Sequence, residues 1–276
     1  MFRATLNVKL PFMTITSIQN RITDLFSQKS ERLLNVYFTA GFPQLTDTRT
    51  VLRGLQQAGV DLVEIGMPYS DPVADGEVIQ QSNMQALENG MTLRILFDQL
   101  AGCREEITVP LLLMGYINPV LQFGVDAFCQ KCQEVGIDGV ILPDLPFDLY
   151  VDEYKAIFDQ YGILNIFLIT PQTPDERIRF IDEASEGFIY MVSSASITGS
   201  VTGISDTMAT YFERIATMNL RNPRLIGFGI NNQETFDTAS QHANGAIIGS
   251  AFVKHLQKNG PGAAGIEAFV QAIRPS

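Results

Sequence analysis

Apolar and polar positions alternate in blocks along almost the whole chain. Short runs rich in Val, Ile and Leu, bounded by glycine, proline or aspartate, are typical of parallel strands that are buried on both faces. Longer stretches with apolar residues three or four positions apart follow the strands and predict helices. The predicted strands are 33–39, 61–66, 109–116, 138–144, 163–170, 187–194, 224–230 and 245–250.

The helical pattern predicts one helix before the first strand and further helices between the strands. The first helix covers 17–29, with Ser17 as a candidate N-terminal cap. The others are predicted at 46–59, 76–88, 92–106, 125–136, 146–162, 173–187, 207–219, 231–240 and 262–273, with a turn at 117–124. This order predicts an α/β fold, a (β/α)₈ TIM barrel with an extra N-terminal helix. A doubly wound open sheet is the alternative, although no G-x-G-x-x-G follows the first strand.

Length and charge narrow the class of protein. The chain of 276 residues suits one large domain, predicted at 16–276, and residues 1–15 are expected to be an extension that is disordered or precedes a natural start at Met13. The net charge of -11 disfavours binding to nucleic acids or anionic membranes. Three cysteines, an odd number, without a secretory leader predict a cytoplasmic protein.

Two acidic residues stand out in the stretch DLVEIGMPYSDPVADGEVIQ. Glu64 lies inside a short apolar strand, where burial is expected to raise its pKa and suit it to proton transfer. Asp75 follows in the loop after that strand, where we expect it to stay ionised. Simpler interpretations remain open: Glu64 as a strand-end residue that reaches water, and Asp75 as a helix cap. In a barrel, both would lie at the catalytic end of the strands.

Three glycine turns in the last quarter of the chain predict a phosphate site. They lie at 197–200, 227–229 and 249–250, at the ends of consecutive strands, where backbone N–H groups can approach an anion. No strand ends in a lysine at this face, which disfavours imine chemistry. We predict no metal site, and we interpret Cys129 and Cys132 as helix residues because no second pair completes a zinc site.

The motifs also resemble a known family. VEIGMPYSDPVADGEVIQ, preceded by YFTAGFP and followed by GFGINN and IIGSAFVK, is similar to the tryptophan synthase alpha subunit family from about Ser17 to the C-terminus. The resemblance implies a TIM barrel that cleaves indole-3-glycerol phosphate to indole and D-glyceraldehyde 3-phosphate without a cofactor. It also implies an α2β2 complex, in which indole passes to a beta subunit that carries pyridoxal phosphate and makes L-tryptophan.

The same resemblance assigns roles to residues of this chain. It implies Glu64 and Asp75 as the catalytic carboxylates, with Tyr190 beside them. The substrate-binding positions implied are Tyr37, Ile79, Met114, Thr198, Gly199, Phe228, Gly229, Gly249 and Ser250. The positions implied to face the beta subunit are Asp71, Asn118 and Pro119.

The chain departs from the family pattern at two places. Tyr37 replaces the more usual Phe and adds a hydroxyl to an apolar wall, and a Ser193–Ser196 run precedes Thr198, in the loop that closes over the substrate. Two other functions remain open. The chain could act mainly as an activator of the beta subunit, or it could share the barrel with indole-glycerol-phosphate synthase or phosphoribosylanthranilate isomerase chemistry, although the synthase usually needs a strand-end lysine.

Overall fold

All strands of the computed structural model join one parallel sheet. The structure describes residues 19–72, 75–192, 206–227 and 229–275. The strands are β1 Leu33–Thr39, β2 Leu62–Gly66, β3 Leu111–Met114, β4 Gly139–Ile141, β5 Leu164–Ile166, β6 Leu168–Ile169, β7 Ile189–Val192, β8 Arg224–Gly227 and β9 Gly245–Ile248. Their order is β5-β4-β3-β2-β1-β9-β8-β7-β6, and every pair is parallel.

The two ends of this order are halves of one predicted strand. β5 pairs with β4 and β6 pairs with β7, and only Phe167 separates the two halves along the chain. Ile166 and Leu168 both face the inside, so the alternation of the strand continues across the break. The sheet therefore closes on itself as the predicted eight-stranded barrel with one interrupted strand, and the alternative of an open doubly wound sheet is wrong.

Apart from the extra N-terminal helix, the helices cover the outside of the sheet. In chain order, the helices are α1 Arg21–Gln28, α2 Thr48–Gln57, α3 Glu77–Glu88, α4 Leu93–Leu100, α5 Ile117–Phe123, α6 Val125–Val135, α7 Phe147–Leu149, α8 Lys155–Tyr161, α9 Asp175–Ala184, α10 Asp206–Thr217, α11 Gln233–His242, α12 Ser250–Asn259 and α13 Ala263–Ile273. A 3₁₀ turn at Cys103–Glu105 follows α4, and a π-helical turn at Tyr150–Tyr154 joins α7 to α8.

Three helix predictions need correction. The helix predicted at 92–106 ends at Leu100, because Gly102 takes a positive φ of 69° that an α-helix cannot continue. The turn predicted at 117–124 is the helix α5, which ends at Gly124 with φ 90°. The helix α12 was not predicted, and it begins directly at the glycine turn of 249–250.

The extra N-terminal helix closes one end of the barrel. Its cap is Asn20, which accepts hydrogen bonds from the backbone N–H groups of Ile22 and Thr23, whereas the candidate cap Ser17 lies outside the described residues. The Ile22 side chain packs with the inner layer of the barrel. A Cβ atom at Gly139 would come within 3.1 Å of Ile22, so this glycine makes room for the helix.

Apolar side chains form two layers separated by the sheet. The inner layer fills the barrel with one side chain or more from most strands: Leu33, Leu62, Leu112, Ile141, Leu164, Ile166, Phe188, Tyr190, Leu225 and Ile247. Alternate strand residues such as Val63 and Ile65 belong to the outer layer under the helices.

Cys129 and Cys132 are free thiols buried in α6, and burial raises the pKa of Cys129 to about 12, so neither is a reactive thiolate.

A buried ionic network supports the N-terminal ends of the strands. Asp138, whose side chain is 2% exposed, accepts hydrogen bonds from Arg104 at 2.6 Å, Arg21 at 3.0 Å and the backbone N–H of Leu111 at 2.9 Å. It joins the start of β3 to α1 and to the 3₁₀ turn. On the same end, Asp61 pairs with Lys29 at 2.6 Å and with Arg274.

Replacing Asp138 by alanine is expected to destabilise the fold strongly. Arg104 is only 15% exposed and would lose its carboxylate, and losing one partner of a buried ion pair costs about 3–5 kcal/mol. Urea unfolding followed by circular dichroism measures the loss. The matched control is Asp148→Ala, because Asp148 is 76% exposed and pairs with Arg177 at the surface, where we expect no change in midpoint. Equal midpoints for both variants would contradict the stabilising role of Asp138.

Candidate active site

Glu64 points into the barrel and is fully buried. It is the central residue of β2, and its neighbours Val63 and Ile65 point to the outer layer, as the strand pattern predicts. Its Oε1 atom accepts a hydrogen bond of 2.6 Å from Nδ2 of Asn35. Burial raises the pKa of Glu64 to about 8, although the Asn35 hydrogen bond opposes this rise. The expected raised pKa is confirmed, and the alternative of a strand-end residue in water is wrong.

Asp75 lies in the loop after β2, and its carboxylate is held by a tyrosine. The hydroxyl of Tyr116 donates to Oδ2 at 3.2 Å. Burial raises the pKa of Asp75 to about 6, so the group remains mostly ionised at pH 7 but is not the unperturbed loop carboxylate that the sequence suggested. Gly76 is the N-cap of α3, which has no side-chain capping hydrogen bond, so the interpretation of Asp75 as a plain cap is wrong.

The two carboxyl groups therefore differ in charge near neutral pH. With pKa values of about 8 and about 6, Glu64 is mainly protonated and Asp75 is mainly ionised between these two values. Different degrees of burial produce this separation, and such a separation is what divides the roles of acid and anion between two carboxyl groups. The site can offer a proton and stabilise a positive charge at the same time.

Two tyrosines face the same space from opposite parts of the barrel. Tyr190 on β7 shares the inner layer with Phe188, whereas Ile189 and Met191 point outward, as predicted. Burial, followed by the charges of Glu64 and Asp75, holds the pKa of Tyr190 well above its usual value. Its hydroxyl is therefore neutral near pH 7 and is able to donate or accept a hydrogen bond but not to act as a base.

Tyr37 on β1 has a partner that the sequence did not reveal. Its hydroxyl lies 3.3 Å from Oγ1 of Thr39, which in turn lies 2.7 Å from Oγ of Ser82. Ser82 donates to the carbonyl of Ile79 at 2.8 Å. This chain of hydroxyls gives the Tyr37 hydroxyl a hydrogen-bond partner within an otherwise apolar wall. It also links β1 to α3.

The remaining described positions of the predicted binding set lie at the same end of the barrel. Met114 ends β3, and its register partners are Gly66 and Ile141. A Cβ atom at Gly249 would lie 3.6 Å from both Ile79 and Tyr37, so these three residues are neighbours. Gly229 has a φ of 76° and no atom near the position of a Cβ. The predicted positions Thr198, Gly199 and Phe228 lie outside the described residues.

The start of α12 has the form of an anion site. Gly249 is its N-cap and Ser250 is its first residue. The N–H groups of the first turn of a helix lack intrahelical partners, and the helix dipole adds positive partial charge there. Because α12 has 10 residues and follows β9, this arrangement can bind a phosphate at the end of the last strand.

The positions predicted to face a partner lie in the loop after β2 and at the start of α5, and these two segments touch each other. Asp71 and Asn118 are exposed, and Pro119 is half-buried. Asn118 donates to the Tyr69 hydroxyl at 3.3 Å, and the Tyr69 ring lies 5.3 Å from the Tyr116 ring.

Sequence reasoning missed four polar residues of the site: Asn35, Thr39, Ser82 and Tyr116. Asn35, Tyr37 and Thr39 alternate along β1, so the rule that singled out Glu64 on β2 would also have singled out Asn35. Ser82 and Tyr116 lack such a signal, because one lies on a helix and the other in a loop. Among the residues described, no three His, Cys, Asp or Glu side chains gather as a metal site would require.

Comparisons with known proteins place these features in one family. A sequence model of the family described as tryptophan synthase alpha chain matches residues 24–273. The chain belongs to this family. A tryptophan synthase alpha chain from Flavobacterium johnsoniae is 60% identical over 255 residues, which cover 92% of this chain and 100% of the relative.

Solved structures agree with this family membership. The tryptophan synthase alpha subunit from Legionella pneumophila has 30% identity and a TM-score of 0.83, covering 93% of this chain and 97% of that one. A chain of the tryptophan synthase complex from Pyrococcus furiosus has 34% identity and a TM-score of 0.78, with coverage of 88% and 98%.

Family membership gives the reaction. The chain is a carbon–carbon lyase of tryptophan biosynthesis that cleaves indole-3-glycerol phosphate to indole and D-glyceraldehyde 3-phosphate, and it works with a tryptophan synthase beta subunit. Pyridoxal phosphate belongs to the beta subunit in this family. None of the helices in the described ranges is long and apolar enough to cross a membrane.

Substitution of Gly227 is expected to impair the reaction through Tyr190. A Cβ atom at Gly227 would lie 2.2 Å from the Tyr190 hydroxyl, so alanine must displace the ring from its place near the carboxylates. We expect Gly227→Ala to lower kcat/KM for indole release by about tenfold or more, since small misplacements at reacting centres are costly. Gly262→Ala is the control, because no atom lies within 4 Å of its Cβ position. Normal turnover in Gly227→Ala would contradict the placement of Tyr190 in the site.

Proposed function

We propose that Glu64 and Asp75 carry out the cleavage as a pair with divided roles. The observation that supports this most strongly is the separation of their pKa values, about 8 for a fully buried Glu64 and about 6 for Asp75. Near neutral pH, Glu64 supplies the proton and Asp75 supplies the negative charge. Both belong to β2 and the loop that follows it, at the end of the barrel where such enzymes place their chemistry.

The reaction then proceeds in two proton transfers. Protonated Glu64 gives its proton to C3 of the indole ring, and the positive charge that spreads to the indole nitrogen is stabilised by ionised Asp75, which accepts the N–H. The Glu64 carboxylate next removes the proton from the glycerol hydroxyl on the carbon attached to the ring. The carbon–carbon bond breaks, its electron pair restores neutral indole, and the hydroxyl carbon becomes the aldehyde. Glu64 ends the cycle protonated.

Other side chains position the substrate in this proposal. Tyr37, Ile79, Met114 and Phe228 form the flat apolar walls that hold the indole ring, and Tyr190 places its hydroxyl beside the carboxyl groups. Gly199, Gly229, Gly249 and Ser250 bind the phosphate through backbone N–H groups, in keeping with the helix start at Ser250. Thr198 completes the substrate-binding set that the family resemblance assigns.

We also assign the partner-facing surface and the limits of the chain's own role. Asp71, Asn118 and Pro119 contact the beta subunit in the α2β2 complex, and the contact between the loop after β2 and the start of α5 supports a shared surface. The chain itself uses no cofactor, because proton transfer alone completes the reaction. Residues 16–276 form one domain preceded by the extension 1–15, and the protein works in the cytoplasm.

Indole release from indole-3-glycerol phosphate tests the roles of the two carboxyl groups. The full chain is assayed alone and with a tryptophan synthase beta subunit, with Glu64→Gln and Asp75→Asn as variants. We expect each variant to lose at least about 10²-fold in kcat, because each removes a group that acts in the transition state. Glu88→Gln is the control, since Glu88 lies at the far end of α3 from Asp75. A Glu64→Gln variant with normal turnover would remove Glu64 from the mechanism.

The pH dependence of kcat/KM provides an independent test. Activity requires Asp75 ionised and Glu64 protonated in the free enzyme, so the profile should be bell-shaped, rising near pH 6 and falling near pH 8. The folded-state pKa of Glu64 lies above its usual value, so the unfolded chain releases this proton at a lower pH than the folded chain does, and stability falls as pH rises from the usual value toward 8. Glu64→Gln should therefore gain more stability over the wild type at pH 8 than at pH 5, measured by urea unfolding. A flat profile would contradict the division of roles.

A further inference from the structure

One residue that the reaction scheme does not use is in direct contact with Glu64. Asn35 lies on β1, two residues before Tyr37, and both Asn35 and Glu64 are fully buried. The Nδ2 atom of Asn35 donates to Oε1 of Glu64 at 2.6 Å. The other carboxyl oxygen, Oε2, is buried and has no hydrogen-bond partner among the described residues.

We propose that Asn35 is a positioning residue that holds Oε1 of Glu64 as an acceptor and thereby makes Oε2 the oxygen that gives and takes the proton. A carboxylic acid carries its proton on one oxygen only, and an oxygen that accepts from an amide N–H is the carbonyl one. The hydrogen bond also fixes the side-chain torsions of Glu64, so that Oε2 keeps one direction. This inference rests on the proposed role of Glu64.

Asn35 differs from the other described neighbours of Glu64 because it donates a hydrogen bond to the carboxyl group. The titratable groups that interact with the charge of Glu64 are Tyr37 from β1 and Tyr190 from β7, and both tyrosines also interact with Asp75 from the loop after β2. The register partner of Glu64 on β3 is the apolar Leu112. The tyrosines stay neutral because burial raises their pKa values. Of the groups described around Glu64, the Asn35 amide is the one that stabilises the ionised carboxylate by a hydrogen bond.

The cost of Asn35 argues against a purely structural role. Its Oδ1 atom is buried and has no hydrogen-bond partner in the described part of the chain. A buried polar atom without a partner is unfavourable, so an apolar residue would suit this strand better if only the fold mattered. Its neighbours on the inner face of other strands, such as Leu62, are indeed apolar. Stability given up at a functional site is a common pattern.

The hydrogen bond has a defined effect on proton transfer. It favours the ionised carboxylate and so limits the rise in the pKa of Glu64 that burial causes. Without the bond, the acid would hold its proton more tightly and transfer it to indole C3 less readily. Removing the amide should therefore move the alkaline limb of the kcat/KM profile to higher pH and lower kcat near neutrality.

The test is the pH profile of Asn35→Leu in the complex with a tryptophan synthase beta subunit. We expect the alkaline limb to move up by about one pH unit and kcat at pH 7 to fall by about tenfold, since hydrogen bonds to charged groups are strong. KM should stay unchanged, because Asn35 is not one of the substrate-binding positions of the proposed function.

Asn165→Leu is the matched control. Asn165 is another buried strand asparagine with an unpartnered Oδ1, but its register partner Val140 belongs to the outer layer, away from Glu64. This variant should keep the wild-type position of the alkaline limb of the kcat/KM profile and the wild-type kcat. If Asn35→Leu does not fold, Asn35→Ala serves in its place, and the position of its alkaline limb is measured in the same way.

The outcomes separate this inference from the proposed mechanism. An alkaline limb of the kcat/KM profile that shifts in the Asn35 variant but not in the Asn165 variant supports the positioning role. A wild-type limb in the Asn35 variant, together with an inactive Glu64→Gln, overturns the positioning role and leaves the mechanism intact. Normal turnover by Glu64→Gln overturns the mechanism and, with it, the role of Asn35.

Discussion

Burial of an ionisable carboxyl inside a closed barrel is the constraint on which the site depends. A strand of five residues places Glu64 where water is excluded, and the inner layer around it is mostly apolar. Burial disfavours the ionised carboxylate and therefore raises its pKa, so the protein holds a proton at a pH where free glutamate has lost it. The hydrogen bond from Asn35 limits the rise in the pKa of Glu64. Asp75, whose pKa is lower, supplies the negative charge that complements the protonated Glu64.

The two ends of the barrel divide stability from chemistry. At the N-terminal ends of the strands, Asp138 and Asp61 are each surrounded by cations and backbone N–H groups, so burial there is compensated. Inside the barrel, Glu64 has one amide partner and, among the residues that the structure describes, no paired cation. Compensated charges stabilise a fold, whereas an uncompensated one is available for reaction. A barrel permits this division because its two ends are far apart and its strands connect them rigidly.

Much of this arrangement was predictable from the sequence, because strand alternation is a local property. The pattern of β2 predicted which way Glu64 points and why its pKa rises, and the unbroken strand–helix order predicted closure. The pKa of Asp75 was not predictable, because it depends on burial by the folded chain and on a hydrogen bond from Tyr116, 41 residues further along the chain. The partner of the Tyr37 hydroxyl depends likewise on Ser82 from α3. The missed helix α12 begins at a glycine turn that was interpreted only as a loop, and the early end of α4 follows from the backbone at Gly102.

Tyr116 connects the catalytic loop to the surface assigned to the beta subunit. Its hydroxyl holds Asp75, its ring packs against Tyr69, and the Tyr69 hydroxyl accepts from Asn118 on α5. A change in the position of Asn118 on docking would reach Asp75 through only two aromatic side chains. The Tyr116 hydrogen bond lowers the pKa of Asp75 against the effect of burial, so a displacement of Tyr116 that breaks this bond would raise the pKa of the carboxyl group. The surface assigned to the partner is thus linked to the Asp75 carboxylate through the packing of Tyr69 and Tyr116.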